Sequence, residues 1–155
     1  MSQVNRIKGG LVNQKKSLSF TFNGQILTGY EGDTLASALL ANNKKLVGRS
    51  FKYHRPRGIV TAGSEEPNAI MEIGNGAYKD PNTRATNTEL YNGLEANSQN
   101  HRGPLGFDLM AITDFLSPLL GAGFYYKTFM WPKAFWEKFY EPAIRNAAGL
   151  GTLST

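Results

Sequence analysis

Leu18-Ser-Phe-Thr-Phe-Asn-Gly-Gln-Ile-Leu-Thr28 is the stretch that decides the fold. Leu18, Phe20 and Phe22 alternate with Ser19 and Thr21, the period-two pattern of a strand with one buried face. Asn23-Gly24 supplies the two positive-φ positions of a type I′ turn, so Gln25-Ile26-Leu27-Thr28 returns as the second strand of a hairpin. Just downstream, Gly32-Asp33-Thr34 precedes Leu35, Ala38 and Leu39 at helical spacing, with Asp33 as N-cap and Asn42-Asn43 as the stop. A hairpin followed by a short helix packed on it is the nucleus of the domain.

Working outward, Lys45-Leu46-Val47 reads as a brief strand and Gly48–Gly63 as a long loop rich in Arg and Gly. Asn68–Ile73 reads as another strand, ended by the Gly74-Asn75-Gly76 turn signal, and Thr83–Leu90 as one more. This order predicts an α+β fold of β-grasp type, in which one helix crosses a mixed sheet of four or five strands. Upstream, residues 1–16 lack periodicity and form a basic arm, ordered only if something holds it. The domain then spans 17–100, and 101–155 is a helical, aromatic-rich extension. In it, Phe107, Leu109, Met110, Ile112, Phe115 and Leu116 predict one helix. Pro132 at a first helical position, followed by Ala134, Phe135, Trp136, Phe139 and Tyr140, predicts another, halted near Glu141-Pro142. Nine of the 18 aromatic residues fall in Phe124–Tyr140, too many for so short a segment to hide. They either fold onto the sheet domain or form a contact surface.

Composition removes whole classes of chemistry. The 155 residues contain no cysteine, which excludes disulfides, thiolate zinc sites, Cys-ligated iron–sulfur clusters and Cys nucleophiles. His54 and His101 are the only histidines, too few for a His-rich metal site. The start of the chain has no secretory pattern, and Asp108, Asp114 and Pro118 interrupt the longest apolar runs, so a cytoplasmic protein without a membrane span is expected. Charge is uneven: residues 1–60 carry 10 Lys/Arg against Glu31 and Asp33, whereas the remainder is net acidic.

Arg49-Ser-Phe-Lys-Tyr-His-Arg-Pro-Arg57 sets Arg49, Lys52, Arg55, Arg57 and His54 among Phe51 and Tyr53. Basic groups interleaved with aromatic faces suit a protein or cofactor contact. They also suit phosphates and stacked bases, so a free-standing nucleic-acid or nucleotide-binding module is the alternative reading, although nucleic acid is not the expected partner. Ser50, Ser64 and His54 form no nucleophile elbow. Glu65-Glu66 reads as an exposed pair in a Pro-containing loop, and Gly149-Leu-Gly151 as a helix stop.

Val47-Gly-Arg-Ser-Phe-Lys-Tyr-His-Arg-Pro-Arg-Gly-Ile-Val60 and Gly63-Ser-Glu-Glu-Pro-Asn68 resemble the amino-terminal segment of the alpha subunit of heterotetrameric sarcosine oxidases. Gly32–Ala41, Pro81–Thr86 and Phe124–Pro132 carry the same resemblance, which runs nearly end to end. It implies a bacterial flavoenzyme complex that oxidatively demethylates sarcosine to glycine and passes the one-carbon unit to tetrahydrofolate. FAD, FMN and NAD are implied for the whole complex and no cofactor for this segment. The implied partners are the remaining alpha-subunit domains, including a dinucleotide-binding domain beyond residue 155, and the flavin-bearing beta subunit. The segment itself is expected to be non-catalytic. Its expected contacts are Arg49, Lys52, Tyr53, His54, Arg55 and Arg57, with Tyr125, Tyr126, Trp131 and Trp136 from the tail.

The same region is similar to the β-grasp [2Fe–2S] domains of related amine and proline dehydrogenases, whose cysteines follow an Arg-Pro-Arg-Gly stretch. Anchored on Arg55–Gly58, the plant-type spacing puts the four ligand positions on Thr61, Glu66, Ala69 and Thr86. None is a thiol. The resemblance thus implies a cluster-less relic of an electron-transfer domain, kept as scaffold.

Overall fold

The computed structural model describes residues 3–118 and 134–147. Strands β1 (Asn13–Phe22) and β2 (Gln25–Glu31) form the hairpin, with Phe20 opposite Leu27 and Phe22 opposite Gln25. At its turn Asn23 and Gly24 take φ of 50° and 75°, as a type I′ turn demands. Helix α1 (Leu35–Ala41) follows. After it come β3 (Gly48–Arg49), β4 (Pro56–Arg57), β5 (Ile70–Ile73), β6 (Asp80–Arg84) and β7 (Leu94–Ser98). The main sheet has the order β2-β1-β7-β5-β6, with β1 and β7 parallel at its centre and the other neighbours antiparallel. This mixed sheet with its few helices is the ferredoxin-like arrangement expected from the hairpin and helix. Strands β3 and β4 pair separately, as the base of an arch.

One core lies between the sheet and α1. Phe20 and Phe22 from β1, Leu27 from β2, Leu94 and Ala96 from β7, and Met71 from β5 meet Leu35, Ala38 and Leu39 of the helix. The small residues of α1 allow close approach, and β2 meets them with Gly29. A Cβ at Gly29 would stand 2.2 Å from Leu90 Cδ2 and 3.2 Å from Ala38 Cβ. Gly29→Val is therefore expected to cost about 2–3 kcal/mol through overpacking. Urea midpoints check this, with Gly106→Ala, where nothing lies within 4 Å, as the neutral control.

Several expectations are corrected. The N-cap of α1 is Thr34, which makes a capping box with Ser37. Asp33 instead anchors the amino-terminal stretch. Its carboxylate accepts from Arg6 Nη1 at 2.8 Å and Nη2 at 2.6 Å, Ser37 Oγ at 2.7 Å and Tyr30 N at 2.9 Å. Arg6 so ties the basic arm to the helix start, and β1 begins at Asn13, within that arm. Burial pushes the Asp33 carboxyl up, but Arg6, Ser37 and the Tyr30 N–H bring it below its usual range.

The brief strand expected at Lys45–Val47 is instead β3 at Gly48–Arg49, because the register is set by Gly48 opposite Arg57. The strand expected over Thr83–Leu90 is cut short. β6 ends at Arg84, since Ala85 N donates to Ala69 O and Leu90 N to Asp33 O, bending this segment over the core. The central strand β7 (Leu94–Ser98), with polar Glu95, Asn97 and Ser98, shows only a weak alternation in sequence and is an addition to the expected strands.

The helix expected over Phe107–Leu116 is only a 3₁₀ turn (Leu109–Ala111) and α2 (Ile112–Phe115). Asp108 ends the loop before it by capping Met110 N. A π-helical turn at Trp136–Tyr140 runs into α3 (Glu141–Ala147), so helix does not stop at Pro142. Pro142 lies inside this helical run, just past the end of the π-helical turn, where it has no N–H to donate to the preceding turn. Tyr125, Tyr126, Trp131, Pro132 and the Gly149–Gly151 stop lie outside the described residues.

Candidate functional site

The loop from β4 to β5 folds around one side chain. Glu66, expected to be exposed beside Glu65, is completely buried. Its Oε2 accepts from Val60 N at 2.8 Å, Thr61 N at 2.6 Å and Thr61 Oγ1 at 3.1 Å, while Oε1 accepts from Asn68 N at 2.8 Å and Ala69 N at 3.1 Å. Burial pushes this carboxyl up, yet the N–H groups of Thr61, Asn68, Val60 and Ala69 outweigh it and bring it down to about 2. The loop is in effect an anion nest built of backbone donors.

All four positions assigned by spacing meet here. Thr61 and Ala69 bond to the Glu66 carboxylate. Thr86 donates through Oγ1 to Gly63 O at 2.8 Å, and Ala85 N donates to Ala69 O at 2.9 Å. The fold gathers a hydroxyl, a carboxylate, a methyl and a second hydroxyl where a plant-type cluster requires four thiolates. These residues do not fit a [2Fe–2S] cluster. The N–H groups of the loop are also already taken, by a carboxylate that supplies the negative charge from within the chain.

A second centre lies in the β3–β4 arch. Arg49 is nearly buried, and its guanidinium donates to Leu105 O (3.0 and 2.9 Å), His54 O (2.9 Å) and Gly106 O (3.3 Å). At the tip His54 adopts φ of 54°, a left-handed conformation, and its Nδ1 lies 2.6 Å from Asp108 Oδ2. Asp108 is buried and accepts from Arg102 N and Met110 N, both at 3.0 Å. Burial raises its carboxyl pKa, but those two N–H groups and His54 leave it below the usual range. An ionised Asp108 fixes the proton of His54 on Nδ1.

The other basic residues of the arch also have partners within the chain. Arg55 Nε bonds Asp114 at 2.7 Å with its guanidinium over the Tyr53 ring at 4.7 Å, and Arg57 bonds Asn68. Lys52 also lies over Tyr53, at 4.9 Å. With Arg49 and Arg57 engaged internally, the arch offers less charge to a nucleic-acid backbone than its sequence promises. Trp136 lies on the π-helical turn. Sequence reasoning missed Asp108 and the cleft next to it. The one available signal was an Asp placed to cap the turn at Leu109.

The chain is similar to known proteins along most of its length. The profile of the family described as "2Fe-2S iron-sulfur cluster binding domain" matches residues 15–101. The chain is 64% identical to "Sarcosine oxidase subunit alpha" of Rhizobium meliloti (strain 1021) over 154 residues, 99% of this chain and 16% of that protein. It is 42% identical to the protein of the same name in Corynebacterium sp. (strain U-96) over 91 residues, 57% of this chain and 9% of that protein. Among solved structures, L-proline dehydrogenase from P. horikoshii is 29% identical, with 56% of this chain and 16% of that chain covered and a TM-score of 0.46. The chain thus spans about one sixth of the length of the first relative. It is a homologue of sarcosine oxidase alpha subunits, and it belongs to the 2Fe–2S iron–sulfur cluster binding domain family as a member without cysteine.

Proposed function

We propose that this chain is the amino-terminal structural and interaction domain of a sarcosine oxidase alpha subunit, in a cytoplasmic complex that oxidatively demethylates sarcosine to glycine with tetrahydrofolate as one-carbon acceptor. The observation that carries the reading is the 64% identity to such a subunit along 99% of the chain. FAD, FMN, NAD and tetrahydrofolate belong to the rest of that complex. No described residue of this domain is assigned to catalysis.

The domain contributes shape and surface. Residues 107–116 expose Phe107, Leu109, Ile112 and Phe115, the last at 85%, and Phe135 and Phe139 are exposed on the following helical segment. Apolar side chains at this density suit a lasting interface with the other alpha-subunit domains or the flavin-bearing beta subunit. Lys52, Tyr53, His54, Arg55 and Arg57 form its polar margin, with Arg49 holding the arch from beneath. Trp136 on the π-helical turn is a further contact of this kind, and the expected contacts Tyr125, Tyr126 and Trp131 lie outside the described residues. An isolated chain is accordingly sticky, and co-expression with the remaining subunits relieves this.

Assembly tests the reading. A tagged intact subunit carrying this chain is expected to copurify with a flavin-bearing subunit and to oxidise sarcosine. Ile112→Asp/Phe115→Asp is expected to lower copurification at least fivefold without changing the subunit's circular dichroism, because both side chains already face solvent. Unchanged copurification removes the proposed interface; a flavin-free assembly inert to sarcosine removes the functional reading.

A further inference from the structure

Both histidines of the chain line one cleft of about 410 Å³, together with Lys52, Arg102, Asn100, Thr113, Phe51 and Met110. Two permanent cations and two imidazoles face this space, and no carboxylate is among its described lining residues. Of the neighbouring acids, Asp108 is buried and engaged by His54 Nδ1, Arg102 N and Met110 N, and Asp114, next to Thr113 in sequence, is paired with Arg55. His101 is fixed as well, with Nδ1 donating to Gly103 O at 2.7 Å and Nε2 2.8 Å from Ser98 Oγ.

The walls are rigid for a loop site. Arg49 clamps the arch to Leu105 and Gly106 in the segment that follows Arg102, Asn100 Nδ2 donates to Arg49 O at 3.2 Å, and His54 is held in a left-handed conformation. Strained, over-determined residues of this kind cluster at ligand sites. With the proton of His54 on Nδ1, its Nε2 is the ring atom left for the cleft: an acceptor when the ring is neutral, a donor when it is charged.

We propose that this cleft binds a small organic oxyanion, with Lys52 and Arg102 supplying the charge, Asn100 Nδ2 and, when its ring is charged, His54 Nε2 donating the directional contacts, and Phe51 and Met110 forming the bed for its apolar body. The volume is within the range of small-molecule sites and well above what a bare inorganic ion needs. This site is separate from the Glu66 nest, and it shares Lys52 and His54 with the polar margin of the interface proposed above.

Site-resolved protection in the intact protein that carries this chain tests the proposal. Diethyl pyrocarbonate modifies accessible imidazole, and peptide mass spectrometry reads His54 alone. Phenyl phosphate and benzoate are the two probes, and they distinguish a phosphate from a carboxylate head group. At least one is expected to slow His54 modification fivefold or more in a saturable manner. Lys52→Gln/Arg102→Gln should abolish the protection, while Lys16→Gln, outside the cleft, should preserve it. Absence of protection by both probes, or equal protection in the double variant, overturns the proposal. Melting curves of the variants establish that the comparison is between folded proteins.

Discussion

Glu66→Gln is expected to destabilise the domain by about 3 kcal/mol at neutral pH, although it replaces one planar side chain with another of the same size. The amide puts an N–H₂ donor against at least two backbone N–H donors and removes the charge that four of them share. Hydrogen bonds to a buried charge are worth roughly 1.5–3 kcal/mol each before compensation. The pKa leads to the same size. A carboxyl moved from 4.5 to about 2 contributes roughly 3 kcal/mol, at 1.36 kcal/mol per unit. Because the folded-state value is the lower one, this stability is fully present above pH 4.5 and is lost as pH falls toward 2. Denaturation of both proteins across that window should therefore show a gap that is wide at pH 7 and narrows in acid. The difference isolates Glu66, since Asp33 and Asp108 titrate in both. Equal stability at pH 7, or a gap independent of pH, would falsify the assignment.

Arg49→Met is expected to cost about 2–4 kcal/mol. Methionine fills much of the same volume, but it leaves the carbonyls of Leu105, His54 and Gly106 without their shared donor in a site closed to water. Arg49→Lys should recover less than half, because one ammonium cannot reproduce a planar fork reaching both sides of the arch. Two readouts separate this from generic core damage. The melting temperature falls by roughly 10 °C, and proteolysis should open first at the arch and at residues 102–108, which the guanidinium joins. Cleavage distributed evenly over the sheet would show that Arg49 is not the clamp.

The two residues also show what a linear reading can and cannot reach. Phe20 and Phe22 declare their buried face through alternation, and Asn23-Gly24 declares the turn through backbone sterics, so the hairpin was legible from neighbours alone. That Thr61, Glu66, Ala69 and Thr86 belong together was within reach too, but only through the spacing that a resemblance implies. Their conversion into a closed carboxylate nest was not. Glu66 has the local context of an exposed loop residue, and the four N–H groups that make its burial favourable are arranged by the path of the whole β4–β5 loop. Likewise Asp33 looks like a helix cap until Arg6, 27 residues away, engages it.

β7 illustrates the same limit on the scale of an element. Leu94-Glu-Ala-Asn-Ser98 has little strand propensity of its own, yet it occupies the middle of the sheet because parallel pairing with β1 and antiparallel pairing with β5 satisfy both of its edges. The cleft between the arch and residues 100–113 joins His54 to Asp108 over 54 positions, a distance at which no periodicity carries information.

By itself, the amino-acid sequence determined the hairpin, the helix after it, and the absence of thiolates. Those properties depend on residue identity and on interactions among near neighbours. The tertiary structure alone decided that Glu66 is the buried anion of the ligand loop, that Arg49 is an internal clamp, and that both histidines share one cleft. Each of these follows from desolvation and from partners brought together across the fold, and the free energy of a charged or polar side chain depends on that enclosure more than on its neighbours in the chain.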